Sequence, residues 1–293
     1  MNLPDFQLHE ARTLDEAVAL LDRLGPEARL LAGGTDLLVD LKVGRTSARH
    51  VISMARIRSI RGITETDAGL NIGAMTTLAD LNRDIDPAGA YAPILDASRE
   101  MAATPIRTMA TVGGNLAGAV PCADLPPILM TLGASVAIGS GQGERRAPLD
   151  AFFIDARRTV LRPGEVLIGV LVPRPPGGFG AAYARFALRL ANATAVAGVA
   201  AGVQIDARGM VRSARIALGA VAPTPRLVPD LDTELVGRAL DDAALDRAAA
   251  AAMRTARPIS DVRGSAQYRL NLVGVLTRRA LRTAARRAGE AMP

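Results

Sequence analysis

Gly33 and Gly34, followed by Thr35 and Asp36, and Gly113 and Gly114, followed by Asn115, are the residues of this sequence best suited to hold an anionic ligand. Paired glycines let a backbone approach a ligand closely and aim N–H groups at anionic oxygens. Each pair stands where an apolar strand gives way to a new segment. Two such cradles in one domain would suit the two phosphates of a dinucleotide. Either pair could instead be a tight turn that needs positive φ. At the first pair, Thr35 and Asp36 offer short polar groups for phosphate or ribose, while Leu37, Leu38 and Val39 anchor the turn in the core.

Other nucleotide signatures fail. Gly139, Gly141 and Gly143 come closest to Gly-x-Gly-x-x-Gly, but Glu144 stands where the third glycine belongs. A P-loop needs Gly-Lys-Ser/Thr, and the sole lysine, Lys42, follows Leu41. No Ser-His-Asp triad or catalytic carboxylate pair is recognisable. His9 and His50 are far apart in sequence, so no metal-ligand cluster is expected. Asp124 reads as a helix N-cap whose carboxylate could also face the cleft of the second glycine turn. Cys122 reads as an inert loop thiol without a partner cysteine, and Arg107 as structural or rim-exposed. Arg185 and Arg189 alternate with apolar residues, the pattern of a solvated strand face. No residue is assigned a catalytic or metal-binding role, so chemistry here must come from a cofactor that the protein positions.

The 293 residues fit two or three domains, and 49% apolar content with 22% charge is globular. A net charge of +6 invites a nucleic-acid reading, but 34 of the 35 basic residues are arginine, a compositional bias. No arginine run is interleaved with aromatics, which make up 3% of the chain, so nucleic-acid binding is not expected. The single cysteine fits a reducing compartment. The start, Met1 to Asp5, lacks a basic stretch followed by an apolar one, and the most apolar run, Ala193 to Val203, is too short to span a bilayer. A cytoplasmic protein is expected.

The elements that must position these residues follow from pattern. Thr13 caps a helix, with Glu16 completing a capping box and Leu14, Val18, Leu21 and Leu24 forming its apolar stripe before Gly25-Pro26 ends it. Strands are predicted at Ala28 to Ala32 and Val51 to Met54, then a hairpin from Gly62 to Gly73 around Asp67-Ala68-Gly69. Helices are predicted near Thr77 to Asn82, Pro93 to Ala103 and after Asp124, where Pro126 and Pro127 lie in the first turn. Strands flank a loop from Gly139 to Gly143, another covers Val166 to Val172, and Pro173 to Gly178 is a linker. Beyond it lie strands at Ala181 to Leu188, Val196 to Ile205 and Val211 to Leu218. Helices at Asp242 to Ala256 and Ser265 to Ala288 complete a two-layer α+β domain.

Read together, these motifs resemble the FAD-binding subunit of the molybdenum hydroxylases, the xanthine dehydrogenase and aerobic CO dehydrogenase family. The segment Leu30-Leu31-Ala32-Gly33-Gly34-Thr35-Asp36-Leu37 resembles its first FAD-pyrophosphate loop, and Thr111-Val112-Gly113-Gly114-Asn115 its second, preceded by Thr104-Pro105-Ile106-Arg107. Asp124-Leu125-Pro126 matches an aspartate near the flavin ring, and Gly164-Glu165-Val166-Leu167 a segment whose leucine touches the cofactor. Ala220 to Pro225 and Tyr268-Arg269 through Arg278-Arg279 resemble the C-terminal domain.

The resemblance implies a two-lobed, non-Rossmann α/β FAD domain at residues 1–172, with lobes 1–56 and 57–172, and an α+β domain at 173–293. The dinucleotide would lie between the lobes. The implied cofactor-binding set is Leu30, Leu31, Ala32, Gly33, Gly34, Thr35, Asp36, Leu37, Met101, Thr104, Ala110, Thr111, Gly113, Gly114, Asn115, Asp124, Leu167 and Arg185. Arg185 stands where the family often has a flavin-contacting lysine. The single cysteine excludes the additional iron–sulfur cluster of some members. The implied function is to pass electrons from two [2Fe–2S] clusters of a partner subunit through FAD to NAD, a quinone or another acceptor. A third subunit would hold the molybdenum cofactor, and the assembly would be a dimer of heterotrimers. The alternative is a degenerate member serving as an assembly scaffold or nucleotide-binding module.

Overall fold

The computed structural model describes residues 2–189 and 193–290, so the expected outer ends at Met1 and 291–293 lie outside the described residues. The first unit is a small parallel sheet in the order β1-β3-β2, built from β1 (Gln7–Glu10), β2 (Ala28–Leu31) and β3 (His50–Ser53). Helix α1 (Leu14–Leu24) joins the first two strands. Thr13 caps it by accepting a hydrogen bond from the Glu16 amide, and Gly25 ends it at φ +59°. The capping box departs from expectation in one respect: the Glu16 carboxylate takes the Arg12 amide, one residue outside the cap. The sequence reading missed β1, whose face is largely exposed, and α2 (Leu37–Lys42), which starts immediately after the first glycine turn. The leucines read as anchors are this helix's own first turn.

The second unit is an antiparallel sheet in the order β4-β5-β10-β6-β7. Its strands are β4 (Ile63–Thr66), β5 (Gly69–Gly73), β6 (Ser135–Ser140), β7 (Gly143–Pro148) and β10 (Val166–Pro173). Gly139 and Gly143 lie within β6 and β7, so the loop between these strands is shorter than expected. Helices α3 (Leu78–Asp84), α4 (Pro93–Glu100), α5 (Thr104–Arg107), α6 (Val112–Ala117) and α7 (Leu125–Thr131) fill the stretch between β5 and β6. The short pair β8 (Phe153–Asp155) and β9 (Arg158–Thr159) precedes β10. Neither sheet is a doubly wound Rossmann sheet.

The third sheet, in the order β11-β12-β13-β14, holds β11 (Phe179–Ala187), β12 (Ala195–Ile205), β13 (Val211–Gly219) and β14 (Arg226–Leu227). Helices α8 (Leu231–Leu235), α9 (Asp242–Thr255) and α10 (Ala266–Glu290) follow. Ala197, Val199, Ala201 and Val203 of β12 pack toward α9 and α10. Ala181, Tyr183, Ala200 and Ala217 pack instead with α7 and the rest of the preceding core. Both faces of this sheet are therefore covered, a third layer coming from the neighbouring unit where two were expected. Burial on both faces accounts for the near-continuous apolar run of β12. At Gly180 a Cβ would stand 2.1 Å from the Ala284 carbonyl oxygen, so α10 lies directly on the strand backbone.

Candidate functional site

The two glycine motifs meet at the seam between the first two units, but they are built differently. Gly33 and Gly34 form a turn between β2 and α2, with Gly34 at φ +74°. Among the described residues, the amides of Gly33, Gly34, Thr35 and Asp36 find no acceptor within the chain. Such free donors are what an anionic ligand requires. Gly113 and Gly114 instead occupy the first turn of α6, after a short helix and not after a strand. Their amides are already used. Val112 donates to the Thr76 carbonyl (2.9 Å), Gly113 to the Ala74 carbonyl (2.8 Å) and Gly114 to Thr111 Oγ1 (3.0 Å). The expectation of two amide cradles is corrected to one.

Two of the glycines have a packing role besides the expected one of clearing space for phosphate. A Cβ on Gly33 would lie 1.9 Å from the Met109 carbonyl oxygen, and one on Gly113 would lie 2.6 Å from Ala74 Cβ. Both contacts are with the protein. These two residues let separate backbones touch and so close the seam.

A cleft of about 470 Å³ runs along that seam. It is lined by Leu30, Ala32, Gly33 to Leu37, Ala110, Thr111, Gly113 to Asn115 and Leu167. A second cavity of about 310 Å³ adjoins it and holds Met101, Cys122 and Asp124. Thr35, Asp36, Ala110, Asn115 and Val120 line both, so the two spaces share a wall. Three expected residues line neither. Leu31 packs into the small cluster around Val51, Thr104 accepts a hydrogen bond from Arg107 (3.0 Å), and Arg185 lies behind Asp124.

Glu165 accepts from Arg145 Nε and Nη2 (both 2.7 Å) and from the Arg162 amide (2.8 Å), which holds its carboxyl down to about 2. Asp124 departs from its N-cap reading. Its backbone is already helical and its carboxylate makes no cap bond. The carboxylate accepts from Tyr183 Oη (2.6 Å) and Arg185 Nη1 (3.1 Å) instead. The expected solvated Arg185 is also corrected: its side chain is 3% exposed and additionally pairs with Glu100 (2.9 Å). The contacts of α4 cover the strand face that alternation left open.

Sequence reasoning missed Asp40, Arg45 and Arg157 in the first cleft. Asp40 is buried and pairs with Arg45 (2.9 Å) and with Arg157. Arg157 lies 117 residues away, beyond any local pattern. His9 and His50 are distant in sequence yet adjacent in space, with Nε2 of one 3.1 Å from Nδ1 of the other. Among the described residues no group of three or more His, Cys, Asp or Glu could hold a metal ion. No described helix is long and apolar enough to cross a membrane. Cys122 is half-buried, and burial together with Asp124 pushes its thiol upward, as an inert thiol requires.

The buried Asn115 Oδ1 has no hydrogen-bond partner, although it lines both cavities. A buried acceptor without a partner is costly, and a ligand donor would relieve it. Free amides on one wall and this orphan on the other fit a large polar cofactor.

The sequence profile of the FAD binding domain in molybdopterin dehydrogenase matches residues 4–175, and that of the CO dehydrogenase flavoprotein C-terminal domain matches residues 181–284. The chain is 37% identical to the carbon monoxide dehydrogenase medium chain of Afipia carboxidovorans, over 97% of this chain and 98% of the relative. It is 30% identical to the xanthine dehydrogenase FAD-binding subunit of Escherichia coli O157:H7, over 96% of each. It superimposes on a chain of the cyanide-inactivated Cu,Mo-CO dehydrogenase crystal structure with a TM-score of 0.94 and 36% identity, covering 98% of this chain and 100% of the other.

Proposed function

This chain belongs to the family of FAD-binding medium subunits of molybdenum hydroxylases, and from that premise we propose that it gathers electrons from [2Fe–2S] clusters on a partner subunit and delivers them to an external acceptor. Its cofactor is FAD, and it is a subunit of an oxidoreductase. When bound, FAD supplies a ring that accepts electrons singly and releases them in pairs. Residues 1–172 form the cofactor unit, with lobes 1–56 and 57–172, and residues 173–293 the C-terminal unit that covers it.

The observation that carries this reading is the set of free amides at Gly33 to Asp36 in the same cleft as the orphaned Asn115 Oδ1. The amides hold the pyrophosphate, and Asn115 fixes the part of the cofactor that crosses from one cavity to the other. Gly113 brings that wall close, and neither Gly113 nor Gly114 donates to the ligand. Met101 and Asp124 line the flavin end, and Leu167 lines the first cleft. Leu31, Thr104 and Arg185 support the wall from behind. No described residue forms a catalytic constellation of its own, so substrate oxidation is assigned to a molybdenum subunit. The acceptor is NAD, a quinone or another electron carrier, and the assembly is a dimer of heterotrimers.

Replacing Asn115 with Leu removes the group that orients the ligand, a change worth about 1–3 kcal/mol for a buried hydrogen-bonding group. FAD affinity is expected to fall roughly 5- to 150-fold on that basis. Fluorescence titration of the apo-protein measures it, and unchanged affinity would remove Asn115 from the site. Purification from the native host followed by mass spectrometry tests the assembly. An iron–sulfur and a molybdenum polypeptide are expected with the chain, together with one FAD. A complex that assembles without flavin would favour the scaffold alternative.

A further inference from the structure

Behind the flavin end of the cleft stands a charged cluster that cofactor holding alone does not explain. Each oxygen of Asp124 has its own donor: Tyr183 Oη on Oδ1 at 2.6 Å and Arg185 Nη1 on Oδ2 at 3.1 Å. Neither donor lines the two cavities of the site, whereas Asp124 lines the second. Arg185 is further held by the Glu100 carboxylate (2.9 Å) and by the Ala193 carbonyl (3.2 Å). One guanidinium thus faces two carboxylates, and the cluster is net negative when both are ionised. The side chains of Asp124 and Arg185 are 7% and 3% exposed, so the charges of this pair are poorly screened, whereas Glu100 is half in solvent.

We propose that Tyr183 and Arg185 are positioning residues that fix the orientation and charge of the Asp124 carboxyl, and that ionisation of this carboxyl lowers the reduction potential of the bound flavin, adding to the pH dependence that the ring's own proton uptake gives. The proposal rests on FAD occupying the cleft as proposed above. Burial raises Asp124 to about 6, against the opposing pull of Arg185 and Tyr183, so the group changes charge near neutrality. A negative charge beside the ring disfavours added electrons, so ionisation of Asp124 lowers the potential.

Among the described residues, few other charged or titratable groups act on Asp124. Glu100 approaches from α4 and raises it further, while Tyr183 is held neutral by its own burial. Cys122 stays a thiol. Asp36, which lines both cavities, is itself raised by burial and by Asp40, against the pull of Arg157, and is the group most able to mimic the effect. Arg263 acts on Cys122 from across the loop.

The test is spectroelectrochemical titration of the FAD-loaded complex over a pH series, with FAD content and circular dichroism recorded for each variant. The wild-type plot of potential against pH is expected to bend near pH 6. The bend should move or flatten in Asp124→Asn, leaving only the ring's own protonation, and stay in place in Asp36→Asn. Tyr183→Phe removes a donor to the ionised carboxyl, so its bend should move to higher pH. Arg185→Lys keeps the charge and should keep the bend. Absence of FAD from the wild-type complex would undo the cofactor assignment itself. Full FAD with a bend unmoved by Asp124→Asn and Tyr183→Phe would overturn this inference alone. If Asp124→Asn fails to fold, the unmoved bend of Tyr183→Phe suffices.

Discussion

Gly33→Ala is expected to strip the protein of FAD. The added Cβ would lie 1.9 Å from the Met109 carbonyl oxygen and 2.6 Å from its carbon, both backbone atoms that cannot turn aside. Relief requires the turn and the α5–α6 segment to separate, which widens the seam that carries the free amides. Overpacking costs about 1–3 kcal/mol and occasionally more, and a loss at the upper end of that range weakens binding by about 100-fold if it falls on the bound state. Gly113→Ala meets Ala74 Cβ at 2.6 Å and should follow closely. Gly114→Ala meets only the Thr111 hydroxyl at 3.0 Å and Ala32 Cβ at 3.7 Å, so its loss should be the smallest of the three. Flavin released from equal amounts of each purified variant gives the ranking. If Gly114→Ala lost as much FAD as Gly33→Ala while both stayed folded, the glycines would serve the ligand directly and the seam argument would fail.

Arg185→Gln is expected to destabilise the protein strongly at pH 8 and only weakly at pH 5. The folded carboxyl of Asp124 is raised, chiefly by burial, to about 6, above its unfolded range. Its contribution to stability is therefore fully present below the unfolded value near 4 and is lost as pH rises through 6. Arg185 is the main group opposing that rise. Without it the carboxyl shifts further upward and its buried charge stands uncompensated, a loss of about 3–5 kcal/mol when ionised. Glu100 is 54% exposed and loses little by comparison. Denaturant unfolding at the two pH values measures the difference, and Asp124→Asn in the same chain should restore most of it. An equal loss at both pH values would show that Arg185 acts through packing and not through Asp124.

Local signals were legible at several element boundaries. Thr13 and Glu16 marked the start of α1, Asp67 to Gly69 the first hairpin, and Pro173 to Gly178 the passage between the second and third sheets. The glycine pairs marked the cleft, but their division of labour did not show. Whether an amide is free depends on Thr76 and Ala74, which lie more than thirty residues from Gly113. The cluster around Asp124 was hidden for the same reason. Arg185 reads as a solvated strand residue until Glu100 and Asp124, 85 and 61 residues away, are brought against it. Tyr183, two residues earlier in the strand, carried no polar signal at all.

Anaerobic absorbance of the purified complex on addition of an oxidisable donor for the molybdenum subunit addresses the electron-transfer role most directly. The flavin band should bleach when the iron–sulfur subunit is present and stay unchanged when the flavin-loaded chain meets the donor alone. Return of the band on adding an acceptor would complete the relay. Bleaching and turnover by the isolated, flavin-loaded chain would contradict the account and make this an independent flavoenzyme.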